Sequence, residues 1–322
     1  MSKNFALLGA AGYIAPRHFR AIKETGNNLV AIFDPNDSVG VIDQYFMNAC
    51  YFKEFERFDR HIEKLRRSRD HSKIDYVSIC SPNYLHDAHV RFALRVDAEA
   101  ICEKPLVLNP WNIDSLVNME KELGKKVNAI LQLRLHPSIA TLKSTIDQCK
   151  KENNRRYNVD LTYITTRGMW YLYSWKGDPE KSGGVIANIG IHFFDMLVWI
   201  FGKIKTSRTH LLNNTKASGV LELEKATVRW YLSIDFLDFN KVKRDKEDFS
   251  TTYRSIKVDG KEMEFSNGFT DLHTISYRDI LKGNGFGLED ARLGVEASYA
   301  IRNSLISDTL DDCHPFLKNG ME

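Results

Sequence analysis

Cysteine is scarce in this chain. The five residues (Cys50, Cys80, Cys102, Cys149 and Cys313) are odd in number and widely spaced over 322 positions. That suits a reducing compartment and offers no disulfide framework, and Cys80 and Cys102 read as small apolar residues in strands. No CxxC or HExxH spacing occurs, so no bound metal is expected. No apolar run approaches the roughly 18 residues that mark a membrane span. Met1-Ser2-Lys3-Asn4 leads into a strand with no signal-peptide pattern, so the expected location is the cytoplasm. An excess of one charge is also lacking: 45 Lys+Arg against 42 Asp+Glu leave +3. That balance argues for neither nucleic acid nor membrane as partner. The basic stretches Arg60–Lys73, Lys150–Arg156 and Lys241–Lys246 are interspersed with acids and polar residues, and read as solvated faces or loops. No zinc-finger, homeodomain or RNA-recognition pattern accompanies them.

What is present is an ordinary globular composition, 43% hydrophobic and 27% charged, long enough for two domains. Strand-like runs at Phe5–Leu8, Leu29–Phe33, Tyr76–Cys80, Ala100–Cys102 and Val127–Leu133 alternate with helical patterns at Pro16–Thr25, Phe55–Arg67, Tyr84–Arg95 and Pro110–Leu123. Such alternation predicts α/β architecture, a doubly wound parallel sheet over residues 1–128. From about residue 155 the pattern changes. Arg156–Thr166, Arg208–Leu212, Gly219–Leu223, Ala226–Phe236, Ser255–Val258 and Met263–Phe265 follow one another as strands with little helix between. One helix, about Gly190–Phe201, interrupts them, and the chain ends in helical pattern over Leu288–Ile306. Residues 129–322 are thus expected to form an α+β domain with a mixed, mostly antiparallel sheet.

Three segments carry chemistry. Gly9-Ala10-Ala11-Gly12-Tyr13-Ile14-Ala15 lies between the first strand and the first helix, where small residues let backbone approach a pyrophosphate. It departs from strict G-x-G-x-x-G, having Ala11 and Ile14 at the second and third glycine positions. Asp34 follows Gly12 by 22 residues, at the end of the second strand. An acid there accepts from ribose hydroxyls and repels a 2′-phosphate, favouring NAD over NADP; it also reads as a turn-capping acid before Pro35. Glu103-Lys104-Pro105 ends another strand, so Lys104 emerges at the carboxyl edge of the sheet. There it can hold a hydroxyl or relay a proton, unless it is a surface lysine before a turn. His192 opens an apolar helix after Asn188-Ile189-Gly190-Ile191. It is either a satisfied core histidine or, facing a cleft, a general base. Arg167-Gly168-Met169-Trp170-Tyr171 offers a guanidinium and two aromatic faces for a diphosphate, carboxylate or uracil, or else packs between domains or subunits.

Gly9-x-x-Gly12, Ser81-Pro82-Asn83-x-x-His86, Glu103-Lys104-Pro105 and Gly183-Gly184 leading to Asn188-x-Gly190-x-His192, in that order, resemble the Gfo/Idh/MocA oxidoreductase family. Within it they are most similar to the WlbA-type branch, which oxidises the 3-hydroxyl of UDP-N-acetyl-2-amino-2-deoxy-glucuronate. That route leads to diacetamido sugars of bacterial surface polysaccharide. The resemblance implies NAD held by Gly12, Tyr13, Ile14, Asp34, Ser81, Asn83, His86, Glu103, Lys104 and Gln132. It implies catalysis by Lys104 and His192, and a UDP-sugar substrate held by Lys104, Arg167, Tyr171, Asn188 and His192. Much of the wider family has Asp where this chain has Asn188. An amide relays no proton, so Lys104 and His192 must suffice. The resemblance also implies a homo-oligomer, dimer or tetramer. The alternatives are a dehydrogenase of a free sugar or inositol, and a non-catalytic NAD-binding sensor on the same fold.

Overall fold

A computed structural model describes residues 2–68, 72–148, 155–242, 251–263, 269–310 and 312–318. Cys149, parts of all three basic stretches, and positions 264–265 of the last expected strand lie outside the described residues. The chain opens with β1 (Asn4–Leu8), α1 (Ala15–Glu24), β2 (Asn28–Phe33), β3 (Cys50–Phe52), α2 (Phe55–Arg67), β4 (Tyr76–Ile79), α3 (His86–Arg95), β5 (Glu99–Cys102), α4 (Pro110–Leu123) and β6 (Val127–Ala129). It continues with α5 (Pro137–Gln148), β7 (Tyr157–Thr165), α6 (Met169–Tyr173), α7 (Pro179–Ser182), a π-turn over Ile186–Gly190, α8 (Ile191–Phe201), β8 (Ile204–Leu212), β9 (Lys216–Leu223), β10 (Ala226–Ser233), α9 (Phe236–Val242), β11 (Thr252–Val258) and β12 (Lys261–Glu262). It ends with α10 (Leu272–Leu281), α11 (Leu288–Arg302) and α12 (Pro315–Lys318).

Two compact units result, residues 1–132 with 270–292, and 133–269 with 293–322. In the first, six strands run parallel in the order β3-β2-β1-β4-β5-β6. This is the strand order of a dinucleotide-binding fold, whose switch point lies between β1 and β4. Parallel strands are covered on both faces and therefore read as continuous apolar runs; every residue of β4 is buried. Helix α1 carries Pro16 in its first turn, where no N–H is lost at a helix entrance, and turns Phe19, Ala21 and Ile22 into the core. In the second unit the order is β12-β11-β7-β10-β9-β8, with β7 and β10 parallel and the other neighbours antiparallel. Apolar side chains of α8, among them Phe194, Leu197 and Phe201, join Trp230, Leu232 and Leu161 of the sheet in one core.

Several expectations need correction. Short β3 was not anticipated, because Cys50–Phe52 is too brief for alternation to register. The last strand of the first sheet stops at Ala129, and Gln132 opens a 3-10 turn rather than lying on a strand. The division at 128/129 passes over α10, which the chain sends back to the first unit. One helical stretch, Pro179–Phe201, is long and apolar enough to cross a membrane by length and composition, which the reading of apolar runs did not anticipate. Its most apolar window is 83% buried inside the fold, so it reads as a core helix.

Candidate active site

The glycine loop is shaped by packing against the end of β4. Gly9 has φ +90°, and a Cβ there would lie 2.6 Å from the backbone of Cys80 and Ser81, so no larger residue fits without moving a strand end. The loop amides of Gly9, Ala10, Ala11 and Gly12 are all hydrogen-bonded. Those of Tyr13 and Ile14, at the entrance to α1, make no hydrogen bond with a described residue. Two undirected N–H donors at the positive end of a ten-residue helix are what a pyrophosphate needs. The chain therefore fits the dinucleotide its loop implies.

Asp34 is buried, and it performs the turn-capping role. Its Oδ1 accepts from Asn36 N–H at 2.9 Å and Asn36 Nδ2 at 3.1 Å, while Oδ2 accepts from Ala11 N–H at 2.9 Å. A carboxylate has about four acceptor sites, so three of these bonds leave capacity for a ribose hydroxyl.

The strand ends beside the loop are stapled together. Ser81 Oγ meets His89 Nδ1 at 2.8 Å, and the Ser81 carbonyl faces His86 Nε2 at 2.9 Å. His86 Nδ1 faces the Pro105 carbonyl at 2.7 Å. Burial pulls the His86 pKa down, while these two carbonyls pull it up. His86 thus spends both ring nitrogens on backbone, tying the Ser81 turn to the Glu103-Lys104-Pro105 turn. Asn83 is buried at the start of the turn preceding α3.

Glu103 is also buried. Its Oε1 takes His18 Nε2 at 2.9 Å and His273 Nε2 at 2.8 Å, and its Oε2 takes the Lys104 N–H at 3.1 Å. Burial alone would push this carboxyl up; the two imidazoles outweigh it and hold it well below the usual carboxylate range. Lys104 itself is half-buried, and its peptide to Pro105 is cis. The structure thus gathers Gly12, Tyr13, Ile14, Asp34, Ser81, Asn83, His86, Glu103 and Lys104 around the carboxyl ends of β1, β2, β4 and β5, where open α/β sheets bind ligands. Gln132 ends the first of the two segments that make up this unit.

In the second unit, Arg167 follows β7, with Nη1 donating to Thr165 Oγ1 and the Thr166 carbonyl, each at 3.0 Å. Tyr171, buried in α6, accepts from Asn188 Nδ2 at 2.5 Å. Burial raises the phenol pKa, against that donor and the Arg167 charge. Asn188 sits in the π-turn over Ile186–Gly190, and such turns are frequent at functional sites. Gly190 is required there, because a Cβ would lie 2.6 Å from the Phe194 ring and 2.7 Å from Leu232. One residue on, α8 begins. Ile191, Phe193 and Phe194 are buried while His192 between them is half-buried.

Residues the sequence did not single out support these. Arg134 grips Asp195 through two bonds, Nε to Oδ2 at 3.0 Å and Nη2 to Oδ1 at 2.7 Å, both side chains 5% exposed. That buried pair fixes α8 one turn beyond His192. Their only signal in the sequence is an acid within an apolar helix. His18 and His273, 255 positions apart, gave no signal at all.

Comparisons with known proteins bear on the family and the fold. Residues 3–130 match the Gfo/Idh/MocA oxidoreductase-family profile for an NAD-binding Rossmann fold, and residues 152–237 match that family's C-terminal alpha/beta domain. The crystal structure of the Thermus thermophilus WlbA (WbpB) dehydrogenase, in complex with NAD and UDP-GlcNAcA, is 47% identical with TM-score 0.90, covering 98% of this chain and 99% of that one. The WlbA dehydrogenase from Bordetella pertussis, at 19% identity and TM-score 0.75 over 96% and 98% of the two chains, shares the fold. A curated relative, glucose-6-phosphate 3-dehydrogenase of Bacillus subtilis, is 24% identical over 62% of this chain. The matched stretch spans 54% of that relative's length. The first unit is an NAD-binding Rossmann domain, and the chain belongs to the Gfo/Idh/MocA oxidoreductase family.

Proposed function

We propose that this protein oxidises the 3-hydroxyl of UDP-N-acetyl-2-amino-2-deoxy-glucuronate to the 3-keto sugar with NAD. The observation that carries the reading is 47% identity, over nearly the whole of both chains, to the Thermus thermophilus dehydrogenase crystallised with NAD and UDP-GlcNAcA. Bound NAD supplies the hydride acceptor. The protein's own task is to orient the alcohol and take its proton. His192 is the general base, since it stays half-buried at an otherwise buried helix start. Lys104 donates to the same oxygen and polarises it. Asn188, held by Tyr171, orients the sugar but relays no proton. Arg167 takes an anionic group of the substrate. The product would feed diacetamido-sugar synthesis for surface polysaccharide in the cytoplasm, by a dimer or tetramer.

The test is turnover: purified protein, NAD and UDP-GlcNAcA, with NADH formation followed by absorbance. The rival is oxidation of a free sugar, suggested by the names of curated relatives such as inositol 2-dehydrogenase from Rhizobium meliloti. Efficient oxidation of inositol or a free hexose, with no inhibition by UDP, would replace the sugar-nucleotide reading. Remote binding energy from the nucleotide is what should make the intact substrate the better one.

A further inference from the structure

Several cations in the second unit have acidic partners. Lys143 and Lys225 share Asp147, Arg156 pairs with Glu222, Lys181 with Asp178, and Lys216 with Asp235 and Asp238. Arg167 and Lys176 have no acidic partner among the described residues. Only Nη1 of Arg167 is anchored; Nε and Nη2 bond to no described residue. Lys176 is half-buried, its Nζ 4.4 Å from the Trp175 ring centre and 5.5 Å from that of Trp170. Burial lowers its pKa, and the Arg167 charge lowers it further. Two like charges that feel each other in a partly desolvated place, with no acid between them, are unfavourable until an anion arrives.

The surroundings are built for a flat partner. Trp170 is 57% exposed, and a Cβ at Gly168 beside it would lie 2.9 Å from the indole, so a larger residue there would displace the ring. The Arg167 charge also reaches the phenol of Tyr171, which holds Asn188. The cation pair thus adjoins residues expected to hold the sugar.

We propose that Arg167 and Lys176 form the diphosphate subsite of the second unit, with the exposed face of Trp170 open to the nucleotide base. Lys176 then contributes to specificity for nucleotide-linked over free sugars. This rests on the sugar-nucleotide reading above and names its anion site. A sugar carboxylate is the other source of negative charge, so the experiment separates the two.

Calorimetric titration of the full-length protein with UDP, uridine and glucuronate, for wild type, Lys176→Gln and Arg167→Gln, tests it. UDP should bind the wild type and weaken by roughly tenfold or more in each variant, the usual worth of a charged hydrogen bond, while uridine changes little. Melting should separate a ligand site from a structural one. Removing a repelling cation leaves the free Lys176→Gln protein as stable as wild type or more so, whereas loss of a structural cation–π contact lowers its melting temperature. UDP binding should also weaken as pH rises through the free-state titration of Lys176, a limb absent from Lys176→Gln. Equal UDP affinity in wild type and both variants refutes the subsite and leaves the sugar-nucleotide reading standing. If glucuronate binding alone responds to Lys176→Gln, the anion is a carboxylate and the diphosphate assignment is wrong. If the wild type binds no UDP, the reading of function falls first.

Discussion

His18 Nε2 lies 2.9 Å from Glu103 Oε1, with both side chains buried. Burial keeps His18 below its ordinary pKa, against the opposing pull of Glu103, so the imidazole is neutral and its single proton can be placed. Ser78 donates to Tyr277 (2.6 Å), Tyr277 to His18 Nδ1 (2.7 Å), and His18 Nε2–H to Glu103, which also accepts from His273. Every lone pair of His18 is then used. Ligand-type atoms of three residues, His18, Glu103 and His273, lie within 4.8 Å of one another here, and both histidine Nε2 atoms are hydrogen-bonded to Glu103 Oε1. The network joins α1, whose entrance faces the phosphate loop, to the turn that carries Lys104.

Glu103→Gln is expected to break this join. An amide keeps one acceptor oxygen and adds two donors, so a histidine N–H or the Lys104 N–H loses its partner. A buried unsatisfied group costs roughly 1–3 kcal/mol. Chemical denaturation should show that loss, and turnover should fall with it because Lys104 is no longer held.

NAD is expected to bind at least roughly tenfold more tightly than NADP, since Asp34 would meet a 2′-phosphate. Asp34→Ala narrows the gap mainly by weakening NAD. It also frees Ala11 N–H and the Asn36 turn, so melting should fall as well. Titration of both cofactors into the apo-protein decides it, and a preference for NADP would overturn this role for Asp34.

His192→Asn and Lys104→Ala should each lower turnover by roughly 10²–10⁴-fold. NAD affinity should change little in the histidine variant. Near-normal turnover in His192→Asn beside an inactive Lys104→Ala would reverse the two roles.

Stability should fall as pH drops below about 6.5. Burial pushes His89 and His314 down to about 4. Protonating His314 would also break the bond its Nδ1 accepts from Phe316 N–H at 3.1 Å. Between the two pKa values the unfolded chain binds a proton that the folded chain refuses. Each histidine therefore contributes stability fully present above about pH 6.5 and lost as pH falls toward 4, at about 1.4 kcal/mol per pH unit. Denaturation curves at about pH 7.5, 6.5 and 5.5 measure the slope, and His314→Gln should flatten it.

The sequence by itself determined the parallel sheet, the position of the glycine loop and the strand-end placement of Asp34 and Lys104. All of these follow from local periodicity and turn chemistry, which act over a few residues. His192, Asn188 and Gly190 came into view through their resemblance to a family motif. Tertiary structure alone decided which candidates face outward and which are spent inward. His86 looked like a ligand residue and is occupied by two backbone carbonyls; Glu103 looked the same and is held by histidines 85 residues before it and 170 after it. The return of α10 to the first unit was equally invisible, because its apolar face is satisfied by α1, some 250 residues earlier. The same holds for Arg167 and Lys176: the chain shows two cations, and only the fold shows that no described acid answers them. Partners this distant leave no local signature, since burial and hydrogen bonding are fixed by where the chain returns rather than by what adjoins it.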